Sequence, residues 1–161
     1  MQIKAILLCG ALIFLQTCGF SPVYKNEGSL GEFIGGISFA DPRNNIEFSF
    51  LRNIEAKLPQ KNTPTMKMSY SISVAESGLV TDRNFLTGKV IFSLVNISNN
   101  SVILIGSEQS SASFQTSSRF SDVIAATTSR EDALERLSEM LAQRVYYFVV
   151  ASVPHLTQDP H

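Results

Sequence analysis

The chain has 161 residues, with 13 Lys plus Arg against 14 Asp plus Glu, a formal net charge of −1, and 44% hydrophobic residues. That length suits one domain able to bury a core without staples. The near balance of charge argues against a nucleic-acid-binding protein, which would show a strong basic excess. The two cysteines are Cys9 and Cys18, so the chain beyond them has no thiols for a disulfide framework, a CxxC redox pair or a zinc site.

The front of the chain reads as a leader. Lys4 supplies a positive start, and Ala5 to Leu15 form an apolar run. The run is too short to cross a bilayer, which takes about 20 residues, but it suits the apolar region of an export signal. It ends in Leu15-Gln16-Thr17-Cys18, which resembles the lipobox of bacterial lipoproteins. In that class the leader is cut just before the cysteine, the thiol receives a diacylglyceryl group, and the new amino terminus is acylated. Leu15 and Cys18 fit the pattern, while Gln16 is unusual and Thr17 is bulkier than the usual small residue. Residues 1–17 are therefore expected to be a lipoprotein signal peptide, with Cys18 as the lipidated residue. Each buried CH₂ adds about 0.8 kcal/mol of membrane affinity, so several chains on one cysteine anchor durably. By the same resemblance, Gly19 in place of Asp favours sorting to the outer membrane.

Residues 18–31 read as a tether containing Gly and Pro, ahead of a domain at 32–153. Phe33, Gly35, Ile37 and Phe39 alternate with Ile34, Gly36 and Ser38, which predicts a strand. Asp41-Pro42 resembles an N-cap with proline at the first helical position. From about Arg43 to Leu58, the residues Ile46, Phe50, Leu51, Ile54 and Leu58 recur at helical spacing, with Arg43 and Glu47 four apart on the outer side. "MKMSYSISVAE" then alternates strictly: Met66, Met68, Tyr70, Ile72 and Val74 face one way, and Lys67, Ser69, Ser71 and Ser73 the other. Such a strand has one face on a core and one free for water or a partner. A second strand from about Phe85 to Ile97 turns Leu86, Val90, Phe92 and Leu94 inward. "NISNNS" is turn chemistry, although its two Asn-x-Ser triplets also match glycosylation sequons. A third strand runs from Val102 to about Phe114 and becomes serine-rich. Thr128-x-x-Glu131 looks like a capping box that opens a last helix with the stripe Leu134, Leu137, Leu141, Val145 and Phe148. Asp132 and Arg136 are expected to pair on its far side, Pro154 to end it, and 154–161 to form a tail. The order β-α-β-β-β-α predicts an α+β fold: a four-stranded mixed or antiparallel sheet with two amphipathic helices packed on it.

Signs of catalysis are few. His155 and His161 both fall in the expected tail, which leaves a Ser-His-Asp arrangement without a base, and no HExxH, P-loop or GxSxG pattern occurs. Glu131-Asp132 reads as helix N-terminal charge favoured by the dipole. No enzyme activity, cofactor or metal is expected. The candidate ligand residues are cations near the sheet. Lys67 and Lys89 belong on the polar strand faces, Arg83 in the turn between those strands, and Arg119 in the loop before the last helix. They are either solvated surface charge or a site for a phosphate-bearing ligand, with Lys as a point charge and Arg as a fork.

Three features together resemble the LptE family, the lipopolysaccharide-assembly lipoproteins of Gram-negative bacteria, and its alphaproteobacterial branch in particular. They are "CGFSPVY" after the lipobox, the order of elements, and the ending "SREDALERLSEMLAQRVYYFV". The resemblance implies an outer-membrane lipoprotein on the periplasmic side that plugs the lumen of an LptD-like β-barrel and helps deliver lipopolysaccharide to the cell surface. It implies lipopolysaccharide binding partly through basic residues. Arg83 is the best positional match, whereas between Arg119 and Arg130 there is no Lys or Arg to match the family's second basic position. It also implies that the serine-rich strand faces hydrogen-bond the barrel wall. The competing expectation is a phospholipid-binding lipoprotein that serves an ABC-type lipid transport system. Mass spectrometry of the membrane-bound protein should find an N-terminal peptide that starts at Cys18 and carries acyl mass. An unmodified Met1 would contradict the leader.

Overall fold

The structure is a computed structural model and describes residues 29–58, 63–78, 83–115 and 123–156. Helix α1 (Ser29–Gly35) leads into strand β1 (Ile37–Phe39) and helix α2 (Asn45–Glu55). Three long strands follow, β2 (Met66–Gly78), β3 (Arg83–Asn96) and β4 (Val102–Gln115), and then the long helix α3 (Val123–Leu156). The four strands form one sheet in the order β1-β2-β3-β4. β1 runs parallel to β2, and the other two pairings are antiparallel. This is the expected α+β sandwich with a mixed sheet.

Alternation along the strands gives the sheet one apolar face. Met66, Met68, Tyr70 and Ile72 of β2 and Leu86, Val90, Phe92 and Leu94 of β3 are all buried. The register sets Met68 opposite Leu94, Tyr70 opposite Phe92, and Ile72 opposite Val90. α3 lies across β4 and β3 on this face, and α2 packs beside it. Leu137, Leu141, Val145 and Val149 of α3 and Phe50 and Ile54 of α2 are fully covered. Each such side chain contributes about 1.5–3 kcal/mol of burial.

Two strand glycines let α3 come close. A Cβ on Gly88 would lie 3.0 Å from Leu137 Cδ2 and 3.1 Å from Leu141 Cδ1, and one on Gly106 would fall on the Phe92 ring. Over Gly106, Phe92 and Phe148 meet edge to face at 5.4 Å, a favoured aromatic geometry.

Six local expectations are corrected. Residues 29–35 are helix rather than the start of a strand, and only Ile37–Phe39 is extended. Ile34 and Ile37 are both buried, and Gly36 O accepts from Thr65 N and Met66 N at 2.9 Å each, which fixes where the strand begins. The N-cap of α2 is Asn44, not Asp41. Its side chain accepts from Glu47 N at 2.9 Å. Glu47 is buried, not on the outer side: it stands three and seven residues before Phe50 and Ile54, on the apolar stripe itself. Its Oε2 accepts from Arg43 N at 2.8 Å and its Oε1 from Ile72 N at 3.4 Å. Because β1 stops at Phe39, the carboxylate takes an edge N–H of β2 that no strand covers. Finally, α3 begins at Val123 and runs through Pro154 to Leu156. Thr128 and Glu131-Asp132 therefore lie inside the helix. The Thr128 hydroxyl donates to Ile124 O at 3.0 Å, the back-bond of a threonine inside a helix rather than the acceptor role of a cap. Arg136 donates to Ser113 O at 3.0 Å rather than serving Asp132.

The Tyr70 ring packs against Phe50, tilted by 46° with centroids 5.0 Å apart, and its buried hydroxyl has no hydrogen-bond partner among the described residues. Burial, reinforced by Glu47, Glu55 and Asp41, pushes its pKa from 10.0 up to about 12. The fold thus favours the neutral phenol, so this contribution is whole below pH 10 and lost as pH rises through about 12. Gly106→Ala should lower unfolding free energy by about 1–3 kcal/mol through overpacking, measured by denaturant titration. Tyr70→Phe should be neutral or stabilising near pH 7, because it removes an unpaired buried hydroxyl. It should also gain on the parent as pH rises through the tyrosine range; equal losses in both proteins would contradict this.

Candidate functional site

The face of the sheet opposite the helices is open. Opposed strand residues share a face, so the register assigns it directly. β2 contributes Lys67, Ser69, Ser71 and Ser73; β3 contributes Arg83, Thr87, Lys89 and Ile91; β4 contributes Ser107, Gln109, Ser111 and Ser113. Cross-strand sets read Ser73-Lys89-Gln109 and Ser71-Ile91-Ser107. Thr87 and Ser111 bring their hydroxyls within 3.2 Å.

The described residues of this face include Lys67, Lys89 and Arg83 but no Asp or Glu. The strand acids occupy inward positions instead, where arginines of α3 hold them. Arg130 Nε donates to Glu76 Oε2 at 3.0 Å, and Arg144 stands 3.7 Å from Glu108. Asn84 also donates to Glu76, at 3.5 Å. Between the helices, Arg52 pairs with Glu135, and Asn53 donates to the buried Ser138 at 3.3 Å. The carboxylates are thus spent on fastening helices to sheet and to each other, and the open face keeps a purely positive character.

Lys67, Lys89 and Arg83 share this face and are all exposed, but they do not converge. Lys67 lies opposite Val95. From there to Lys89, and from Lys89 to Arg83, is six residues along β3, roughly 20 Å per step at about 3.4 Å per residue. The arrangement is a row of separate point charges set among hydroxyls. It suits an extended anionic surface better than one phosphate. Arg83 begins β3 rather than lying in a turn. Arg119 and Cys18 lie outside the described residues. What sequence reasoning missed is the set of inward acids and their arginine partners, and the even-numbered positions of Glu76 and Glu108 on alternating strands carried that signal.

Among the described residues, two shallow clefts flank α3. One, of about 510 Å³, lies between Asn44, Ile46, Val74, Glu76, Arg130 and Leu134. The other, of about 290 Å³, lies between Ser110, Met140, Gln143, Arg144 and Tyr147. Among the described residues no three His, Cys, Asp or Glu side chains gather where they could hold a metal ion.

A one-sided four-stranded sheet under a long helix is a fold shared with solved bacterial proteins described as lipoproteins. A candidate lipoprotein of Caulobacter crescentus CB15 superposes with a TM-score of 0.67, over 78% of this chain and 96% of its own, at 13% identity. Rare lipoprotein B of Shewanella oneidensis gives 0.57 over 76% and 98% at 10% identity. A minor lipoprotein of Acinetobacter baumannii gives 0.55 over 72% and 89% at 12%. At these identities the likeness is one of fold. No family model matches the sequence, and neither does any curated protein.

Since Lys67, Lys89 and Arg83 stand in solvent, Lys89→Ala and Arg83→Ala should each leave unfolding free energy within about 0.5 kcal/mol of the parent. A larger loss by denaturant titration would show that the cations hold the fold rather than a ligand.

Proposed function

We propose that the protein is an outer-membrane lipoprotein of LptE type. It is anchored through Cys18 on the periplasmic side, carries no catalytic activity of its own, and acts as plug and assembly partner of an LptD-like β-barrel that moves lipopolysaccharide to the surface. The observation that carries this reading is the open, hydroxyl-rich, acid-free face of the sheet. A plug in a water-filled lumen needs an outer surface that hydrogen-bonds polar walls, and Ser69, Ser71, Ser73, Ser107, Gln109, Ser111 and Ser113 supply one. Lipopolysaccharide carries phosphates and sugars along an extended headgroup, which a row of isolated cations among hydroxyls can meet at several points. The lipobox-like Leu15-Gln16-Thr17-Cys18, the CGFSPVY start, and the fold shared with rare lipoprotein B support the same reading.

Helix α1 leads into β1 beside the first residues of β2, so Lys67 lies at the end of the open face where the domain begins, Arg83 at the opposite tip and Lys89 midway.

Mild detergent extraction of the lipidated protein should co-purify a large heat-modifiable barrel. Recovery of an inner-membrane transporter or periplasmic shuttle in its place would favour the phospholipid-carrier alternative. The double variant Lys89→Glu/Arg83→Glu should weaken lipopolysaccharide binding about tenfold at low ionic strength, with the difference shrinking as salt screens exposed charges. Unchanged binding would remove these cations from the site.

A further inference from the structure

The sheet treats its two edges differently. Beside β2, strand β1 covers the start, and Glu47 takes the Ile72 N–H beyond the end of β1. β4 is the outermost strand on the other side, and no described strand pairs with its far edge. It runs for 14 residues without Pro, Lys or Arg, and the register shift between Leu94 and Val95 of β3 falls at its start. Prolines, lysines and mid-strand bulges are the devices that usually blunt such an edge.

The register settles which backbone groups of β4 point outward. Met66 N donates to Gly36 O, and Met68 O accepts from Ala40 N, so the even residues of β2 turn their backbone groups toward β1. In an antiparallel ladder a residue's N–H and C=O point to one side and its neighbour's to the other. Odd residues of β2 therefore bond β3, and even residues of β3 bond β4. Through the pairs Phe92-Gly106, Val90-Glu108 and Gly88-Ser110, the even residues of β4 answer them. Ile105, Ser107, Gln109, Ser111 and Ser113 are left to point off the edge. The Arg136 guanidinium shows that parity directly, because it donates to Ser113 O at 3.0 Å and closes the edge at its tip. Over residues 105–111 the outward N–H and C=O groups meet no described residue.

What fits there is narrowed by α3, which lies chiefly over β4. A second copy pairing edge to edge would set two such strands about 4.8 Å apart, whereas packed helices need about 8–10 Å between their axes. The strands of a closed barrel wall are hydrogen-bonded on both sides and have no edge to offer. A lone extended segment fits, because it brings no helix behind it. Its alternate side chains fall beside Ser110 on the helical side, at the cleft of about 290 Å³ between Met140, Gln143, Arg144 and Tyr147. That volume lies below the roughly 300 Å³ at which ligand pockets begin and suits side chains. The remaining side chains would continue the row of Ser107, Gln109 and Ser111 on the open face.

We propose that residues 105–111 of β4 take up an extended segment of the barrel partner, drawn from outside its wall, as a further strand of this sheet. The segment sets apolar side chains against Met140 and Tyr147 and polar ones beside Ser107 and Gln109. The inference rests on the barrel reading above. Main-chain bonds supply affinity and the cleft supplies selectivity, while the open face stays free to lie against the barrel wall.

Hydrogen exchange of the full lipidated chain, alone and with its co-purified barrel, reads the edge amides. Those of Ser107, Gln109 and Ser111 should exchange rapidly in the protein alone and about tenfold or more slowly in the complex. The double variant Ser107→Pro/Gln109→Pro removes two outward N–H groups and no bond to β3. It should keep the parent's protection in β3 and lower barrel retention about tenfold. The exchange comparison on the parent decides the matter whether or not the variant folds. If the barrel co-purifies while these amides exchange as fast as in the protein alone, the inference falls and the barrel reading stands. Amides already slow in the protein alone also overturn it, because the chain then covers its own edge. If no barrel co-purifies, both fall.

Discussion

The seating of α3 on Gly88 and Gly106 is the contact on which the rest of the structure depends. Where those two strand positions lack a side chain, Leu137 and Leu141 descend onto β3, and Phe148 meets Phe92 edge to face. Close approach by a long helix covers β3 and β4 on one side, and α2 completes the cover beside it. A single helical layer then satisfies the apolar side of the whole sheet. The other side is left uncovered by the described chain, and it presents mostly Ser, Thr, Gln and isolated cations, with Ile91, Val95, Val102 and Ile105 toward the end near Lys67.

Electrostatics follow the same division. Glu76 and Glu108 turn inward and are held by Arg130 and Arg144, and Glu47 is drawn under α2 to serve the β2 edge. These exposed or half-exposed ion pairs contribute little stability individually. Their larger effect is on where negative charge resides. The strand acids are occupied on the helical side, and the charged side chains among the described residues of the open face are Lys67, Lys89 and Arg83. For the proposed anionic ligand, the described residues of the face offer the separated cations Lys67, Lys89 and Arg83 rather than one tight pocket.

Much of the fold was legible in the sequence, because period-two and period-3.6 patterns are direct consequences of one-sided burial. The inward sets of β2 and β3 and the Leu137-Leu141-Val145 stripe were readable for that reason. What misled were short segments in which two patterns coexist. Phe33 to Phe39 alternates by type, yet the glycine pair in its middle divides a helix from a three-residue strand. Glu47 is charged and four residues from Arg43, which suggested a surface pair, while its helical phase with Phe50 and Ile54 marked it as buried. The first turns of α3 carry Ile124, which is 82% exposed, so no apolar stripe announces them and the Thr128-x-x-Glu131 pattern points to a later start. For the candidate site, strand parity placed Lys67 and Lys89 on the open face. Their separation, and the removal of the acids to the other side, required the register.

The central claim is that a partner covers the open face of the sheet. It is tested most directly by photo-crosslinking in cells, with a photoreactive residue at Ser71 or Ser111 on that face and at Val74 or Glu76 beside the cleft under α2. Crosslinks from Ser71 and Ser111 to one large outer-membrane barrel are predicted. Absence of any crosslink from those two positions, with strong crosslinks from Val74 or Glu76, would contradict the claim.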